Sequence, residues 1–221
     1  MNPPPSRPSR VVWGVSGLVI LAVAAGFYLH SPEHAERPLP VLGQIPDFHL
    51  TNENGQVISP ASLRGKVWVA DIIFTRCPGP CRTMTKRMAE LQADLAADQP
   101  VRLVTLTSDP ENDTPAVMKK FAAEFNADTN RWWFLTGDRN DLRSLAVNDF
   151  KFVVVENKPQ DRTVPDDLFI HSTWFALVDR EGRMRGWFDE EGHEHATFKS
   201  EEEGDMKDLR GAIKQLLLEG T

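Results

Sequence analysis

The stretch Lys66–Phe74, KVWVADIIF, runs without a break into TRCPGPCRTMTKRM, and this junction constrains the chain more than any other. The first nine residues are a dense apolar and β-branched run, the pattern of a strand buried on both faces. Cys77 and Cys81 follow it and are the only two cysteines in 221 residues. Pro78 pushes Cys77 away from helical backbone, and Pro80 does the same to Gly79. Pro80 itself suits a first helical position, where its missing N–H costs nothing. The spacing therefore predicts a helix from Pro80 to about Ala97, with Met84, Met88, Leu91 and Leu95 as its apolar stripe. Those methionines read as core filling rather than metal ligands.

A strand followed by two close cysteines at a helix start is the arrangement of a thioredoxin-like site. A helix N-terminus favours thiolate over thiol, and Arg76 and Arg82, which flank the pair, are expected to push the same way. Three residues separate the cysteines, where a thioredoxin-type redox site has two. The longer loop opens the bite between the sulfurs and suits chelation. Residues four apart at a helix start bring their β-carbons within about 5–6 Å, close enough for a disulfide or for one shared metal. A purely structural bridge is a poor account, because so small a loop removes little chain entropy. Two thiolates suffice for Cu(I), and a third ligand would support Cu(II).

The remaining pattern places this junction inside a mixed α/β sheet covered on both faces. Phe48 and Leu50 alternate with polar residues, Asn54-Gly55 marks a turn, and Val57-Ile58 returns, so a hairpin is expected there. Val101–Thr107 reads as a strand, and Thr114–Asn126 as a helix with Val117, Phe121 and Phe125 on one side. Trp132–Leu135 reads as a short strand, Arg139–Val147 as a short helix and Phe152–Val155 as a strand. Thr173–Asp179 and Arg183–Phe188 pair around Arg180-Glu181-Gly182, and Asp205–Leu218 closes the chain as a helix.

Ahead of this domain, Val11–Leu29 is a run of 19 residues without a charge, close to the roughly 20 that a membrane-spanning helix needs. Arg7 and Arg10 precede it and Glu33 and Glu36 follow. That asymmetry predicts a cytoplasmic segment 1–10, a single-pass anchor 11–29, a linker 30–42 and a domain 43–221 outside the cytoplasm. The periplasmic side of an inner membrane is the address in a Gram-negative cell. A cleaved signal peptide ending near Ala22-Val23-Ala24 is the competing reading, and the apolar run through Phe27, Tyr28 and Leu29 favours the retained anchor. Thiols outside the cytoplasm tend to be oxidised, so a lone pair there needs a purpose.

The net charge of −7 is unevenly spread. Asp189–Asp205 holds eight acidic residues against one lysine, and the rest of the chain is near neutral. No basic footprint for nucleic acid exists. The acidic run reads as a solvated loop, although His193 and His195, two apart beside Glu194, also have the makings of an exposed metal site. No phosphate-cradling glycine loop, nucleophile elbow or helix-borne histidine pair is present. Tyr28, in the apolar run, is the only tyrosine, which excludes tyrosine chemistry in the domain.

Three separate blocks then resemble the Sco/SenC family of copper-binding assembly proteins: FTRCPGPC, LVTLTSDPENDTPAVMKKF and DLFIHSTWFALVDREG, in that order between about Gly43 and Leu218. The resemblance implies a thioredoxin-like fold in which Cys77, Cys81 and His171 bind copper together. It also implies a role for Asp109 beside that site, one layer out from the ligands. Family members deliver copper to, or reduce the cysteines of, the binuclear copper site of cytochrome c oxidase. The expected partners are therefore that oxidase subunit, other copper carriers and thioredoxin-like reductants. Arg82 departs from the family, which often has proline there, and adds charge beside the pair. Two alternatives use the same cysteines. One is an extracytoplasmic thiol-disulfide oxidoreductase, with Cys77 attacking and Cys81 resolving. The other is a redox or copper sensor. Zinc is less suited, since a structural zinc site takes four protein ligands and three are aligned here.

Overall fold

The structure, a computed structural model, describes residues 37–161, 168–189 and 191–219. The apolar run 11–29 lies outside the described residues.

In chain order the elements are β1 (Val41–Gln44), β2 (Leu50–Thr51), β3 (Val57–Ile58), α1 (Pro60–Leu63), β4 (Val67–Ile73), α2 (Cys81–Asp94), β5 (Val101–Thr107), α3 (Pro115–Glu124) and β6 (Trp132–Leu135). They continue with α4 (Arg139–Ser144), which widens into a π-helical turn over Leu145–Asp149, then β7 (Val154–Glu156), β8 (Phe169–His171) and β9 (Trp174–Val178). The chain closes with β10 (Arg183–Arg185), β11 (Trp187–Phe188), β12 (Glu194–His195), β13 (Phe198–Lys199) and α5 (Glu203–Leu218).

The main sheet runs β1-β10-β9-β4-β5-β6, with β13 beside the start of β9. Every residue of β4 is buried, as its unbroken apolar run requires of a central strand. Alternation along β4 divides the core in two. Val67, Val69 and Ile73 pack with Met84, Met88 and Leu91 of α2, Met118 and Phe121 of α3 and Leu209 and Ile213 of α5. Trp68, Ala70 and Ile72 pack on the other face with Leu63 of α1 and Leu142 and Leu145 of the α4 turn. The helix after the cysteines buries Cys81, Met84, Met88 and Leu91, but it ends at Asp94 rather than near Ala97, which leaves Leu95 past its end and half-buried. In α3 the buried set is Met118, Phe121 and Ala122, so the apolar face is centred one residue later than Val117.

Two strand pairings place the ends of elements together. β4 and β5 are parallel, with Ile73 opposite Thr107, so the loops leaving both strands start side by side. β9 is antiparallel to β4, with Ala70 opposite Ala176, so the start of β9 lies beside the end of β4.

Three strand features were not visible in the pattern. β1 falls partly within the stretch read as linker, and Leu39 just before it is buried in the core. β8 pairs with β7 as a separate two-stranded ribbon. The acidic run is more ordered than a solvated loop: β11 and β12 form a hairpin, β13 joins the sheet, and Glu203 and Asp205 open α5. Acidic residues in a first helical turn favourably oppose the helix dipole, which explains part of the charge bias.

Candidate metal centre

The two thiols stand at the C-terminal end of β4, where the first residues after a parallel pair of strands converge. Thr75 is pinned there by Asp113, from the loop after β5. The Asp113 carboxylate accepts the Thr75 N–H at 3.0 Å, the Thr75 hydroxyl at 2.5 Å and the Thr107 hydroxyl at 2.6 Å. This buried carboxylate was not singled out from the sequence, although it lies in the resemblance block SDPENDTP. Its hydrogen bonds fix the segment that carries Cys77.

Cys77 and Cys81 are free thiols in unequal surroundings. Cys81 is fully buried at the first turn of α2, where the Phe74 N–H reaches its sulfur at 3.5 Å. Cys77 keeps 9% of its surface exposed, and the Gly79 N–H points at its sulfur from 3.4 Å. The Cys81 thiol, and more weakly His171 and the Gly79 N–H, stabilise the Cys77 thiolate and hold it down at about 4 despite partial burial. Burial and the neighbouring Cys77 charge push Cys81 far above the ordinary thiol range.

His171 reaches this pair because β9 is antiparallel to β4 and His171 lies three residues before β9 begins. Its Nε2 stands 2.9 Å from the Cys81 Sγ, and its Nδ1 faces the Ser172 carbonyl oxygen at 3.0 Å. A carbonyl can only accept, so Nδ1 carries a proton and donates to it, which turns Nε2 toward the sulfurs. The ring also meets Phe74 edge to face at 5.9 Å between centroids. The donor atoms of Cys77, Cys81 and His171 all lie within 4.8 Å of one another. Two soft thiolates and one imidazole match copper in either oxidation state and fall one ligand short of a structural zinc site.

Asp109 is buried close by, but its carboxylate accepts from Arg76 at 2.8 Å, and among the described residues it bonds to neither cysteine nor His171. Its backbone N–H donates to Thr107 Oγ1, so it also braces the loop that Asp113 anchors. The flanking arginines do not act as expected. Arg76 is engaged by Asp109, and Arg82 turns away to Glu124 at 2.9 Å, with its guanidinium 5.1 Å above the Phe125 ring. The low position of Cys77 comes from its sulfur, imidazole and amide neighbours instead. Asp71 of β4 was also not foreseen as part of this region. It falls on the α2 side of the sheet, is completely buried, and neither of its oxygens has a hydrogen-bond partner in bonding geometry. Burial pushes its carboxyl up to about 7, against the opposing pull of Thr105 across the ladder and of His171.

A cleft of about 430 Å³ between Gln44, Pro46, Arg64, Trp68 and Glu181 contains none of these residues. It lies toward the N-terminal end of β4, away from the thiols.

Known proteins match this arrangement. A family model described as SCO1/SenC matches residues 42–202. The SCO1 protein homolog of Bacillus subtilis is 37% identical over 147 residues, which span 66% of this chain and 73% of the relative. The solved structure of BsSco is that of a member of the Sco family of cytochrome c oxidase assembly proteins and contains a disulfide switch. It is 32% identical with a TM-score of 0.65, covering 81% of this chain and 97% of the other. Yeast Sco1 with copper bound shares the fold at 21% identity, with a TM-score of 0.58 and coverage of 79% and 90%. The expected thioredoxin-like α/β fold with its mixed sheet is therefore present. With a family model spanning most of the domain and a relative 37% identical across two thirds of the chain, this chain belongs to the SCO1/SenC family.

Proposed function

We propose that the protein is a membrane-anchored copper chaperone that assembles the binuclear copper centre of cytochrome c oxidase from the extracytoplasmic side. The observation that carries this reading is the convergence of Cys77 Sγ, Cys81 Sγ and His171 Nε2 within 4.8 Å. Copper is the cargo. The two thiolates hold Cu(I), and the imidazole adds the donor that Cu(II) favours. Loading takes the proton from Cys81, while Cys77 is already a thiolate at neutral pH. Oxidation of the pair to a disulfide, with the two electrons passing to a partner's disulfide, removes both sulfur donors and releases the ion. The disulfide switch of BsSco and the copper in yeast Sco1 are properties of those relatives that support the same assignment here.

The test is copper binding by the reduced full-length protein in competition with a chelator. One Cu(I) or Cu(II) per chain is expected, with a thiolate-to-Cu(II) absorption band. Cys77→Ser/Cys81→Ser should abolish both, and His171→Ala should weaken Cu(II) far more than Cu(I). Equal copper uptake by wild type and the double-serine variant would overturn the assignment.

The split between the thiols favours a second reading, thiol-disulfide exchange. The Cys77 thiolate attacks a target disulfide and releases one target thiolate. Cys81 then gives up its proton, attacks the Cys77 sulfur and releases the other. His171→Ala separates the two readings, because exchange tolerates its loss and three-coordinate copper does not.

A further inference from the structure

A second cluster of metal-binding side chains sits on the β11–β12 hairpin. Asp189 follows β11, Glu191 and His193 occupy the turn, and His195 lies on β12 directly opposite Trp187. The turn closes through Gly192, whose φ of +86° suits glycine, with its N–H donating to the Asp189 carbonyl at 3.0 Å. Gly186 lets the returning strand come close, since a β-carbon there would stand 2.6 Å from the His195 carbonyl oxygen.

Asp189 is held from one side and faces two imidazoles on the other. Its Oδ1 accepts the His193 backbone N–H at 2.8 Å. Its Oδ2 lies 3.1 Å from His193 Nδ1 and 2.9 Å from His195 Nε2. Donors about 2.0–2.1 Å from one shared ion stand roughly 2.8–3.4 Å apart at coordination angles between square and tetrahedral. Asp189 Oδ2 already stands at that spacing from each of the two ring nitrogens. Donor atoms of Asp189, Glu191 and His193 also lie within 4.8 Å of one another. The His195 ring is set in advance: it stacks on Trp187 at 4.7 Å, and Trp187 stacks on Phe198 at 5.2 Å and donates to the Thr197 carbonyl at 2.9 Å. The two imidazoles hold the Asp189 carboxyl well below the usual carboxylate range, so a full negative charge faces them.

We propose that this hairpin is a second metal site, taking Cu(II) through Asp189 Oδ2 and the imidazoles of His193 and His195, with Glu191 as a further oxygen donor. All donors are nitrogen or oxygen, which suits a borderline divalent ion and not Cu(I). Among first-row divalent ions, Cu(II) gains most from such a set. His193 is 74% exposed and His195 43%, so the ion enters directly from solvent and leaves as readily. The assignment does not depend on copper binding at the thiol pair.

The test removes the other centre first. Full-length protein carrying Cys77→Ser, Cys81→Ser and His171→Ala is titrated with Cu(II) and followed by electron paramagnetic resonance. One Cu(II) per chain is expected, with hyperfine splitting from two nitrogens. Adding His193→Gln and His195→Phe should weaken binding at least tenfold and remove that splitting. Phenylalanine keeps the stack on Trp187, and unchanged tryptophan fluorescence before copper addition confirms the hairpin. Asp189→Asn should also weaken binding. Failure to bind one Cu(II), or an unchanged two-nitrogen signal in the histidine variant, overturns the proposal. Displacement of the bound Cu(II) by equimolar Zn(II) would overturn its assignment to copper.

Discussion

Cys77 and Cys81 are four residues apart and chemically unlike. Cys77 is a thiolate from about pH 4 upward, whereas Cys81 keeps its proton in a buried site. Alkylation of the reduced, copper-free protein should therefore modify Cys77 alone, at a rate that stays level from pH 8 to about 5 and falls below about 4. Cys81→Ala removes the thiol that most stabilises the Cys77 charge, so its profile should move to higher pH. Peptide mapping after a pulse of iodoacetamide checks both expectations. Asp71 gives a second residue-scale prediction. Its folded value is raised from 3.8 to about 7, so the folded chain binds this proton more tightly than the unfolded chain. The stability it confers is fully present below about pH 3.8 and is lost as pH rises through about 7. The slope approaches ~1.4 kcal/mol per pH unit within that window. Asp71→Asn should remove this slope and make the protein more stable than wild type at pH 8, as denaturant unfolding at pH 5 and pH 8 would show.

The elements matter chiefly through where they end. The loop after β4 carries the thiols, and the loop after β5 carries the carboxylate that holds it. Asp113→Ala takes the acceptor from the Thr75 N–H and hydroxyl, which are half-buried, and from the fully buried Thr107 hydroxyl, at a cost of about 3 kcal/mol. It should also weaken copper binding although Asp113 touches no ligand atom, a loss measurable by chelator competition on the folded variant. Sequence pattern was enough to place β4, α2, β5 and the β9–β10 hairpin, because burial on both faces and a helical stripe leave periodic marks. It was not enough to join His171 to the cysteines. That contact depends on β9 running antiparallel to β4, a non-local pairing with no local signature, and only the family resemblance supplied it. The arginines misled for a related reason: adjacency in sequence suggested charge at the thiols, while Asp109 and Glu124 from elsewhere in the chain engage them. Strands of two or three residues, such as β8 and β12, are too short for periodicity to register.

Across the whole molecule the sheet ties its last helix back to its first strand. Buried Arg185 of β10 donates to Asp179 at 3.0 Å, to Glu219 just past α5 at 3.0 Å and to the Leu39 carbonyl at 2.7 Å. Removing one partner of such a buried pair typically costs 3–5 kcal/mol, so Arg185→Ala should lower Tm sharply while leaving the thiol region's copper stoichiometry intact in the folded fraction. No helix among the described residues is long and apolar enough to cross a membrane, and the anchor we propose is the run 11–29. The full-length chain should stay with membranes through carbonate extraction, and a protease added outside the cytoplasmic compartment should reach the domain. Recovery in the soluble fraction would exclude the anchor.

The unequal burial of the three donors also sets an order for handing over an ion. Cys81 is closed off, so an acceptor's first new bond must replace Cys77 or His171 while Cys81 still holds on. In the transfer we propose, the ion passes through a shared complex in which donor and acceptor both grip it, and oxidation of the pair then frees it to the acceptor rather than to water. Such a transfer is second-order in the two proteins. Its rate rises with acceptor concentration and is indifferent to a chelator too bulky to touch the exposed edge of the pair.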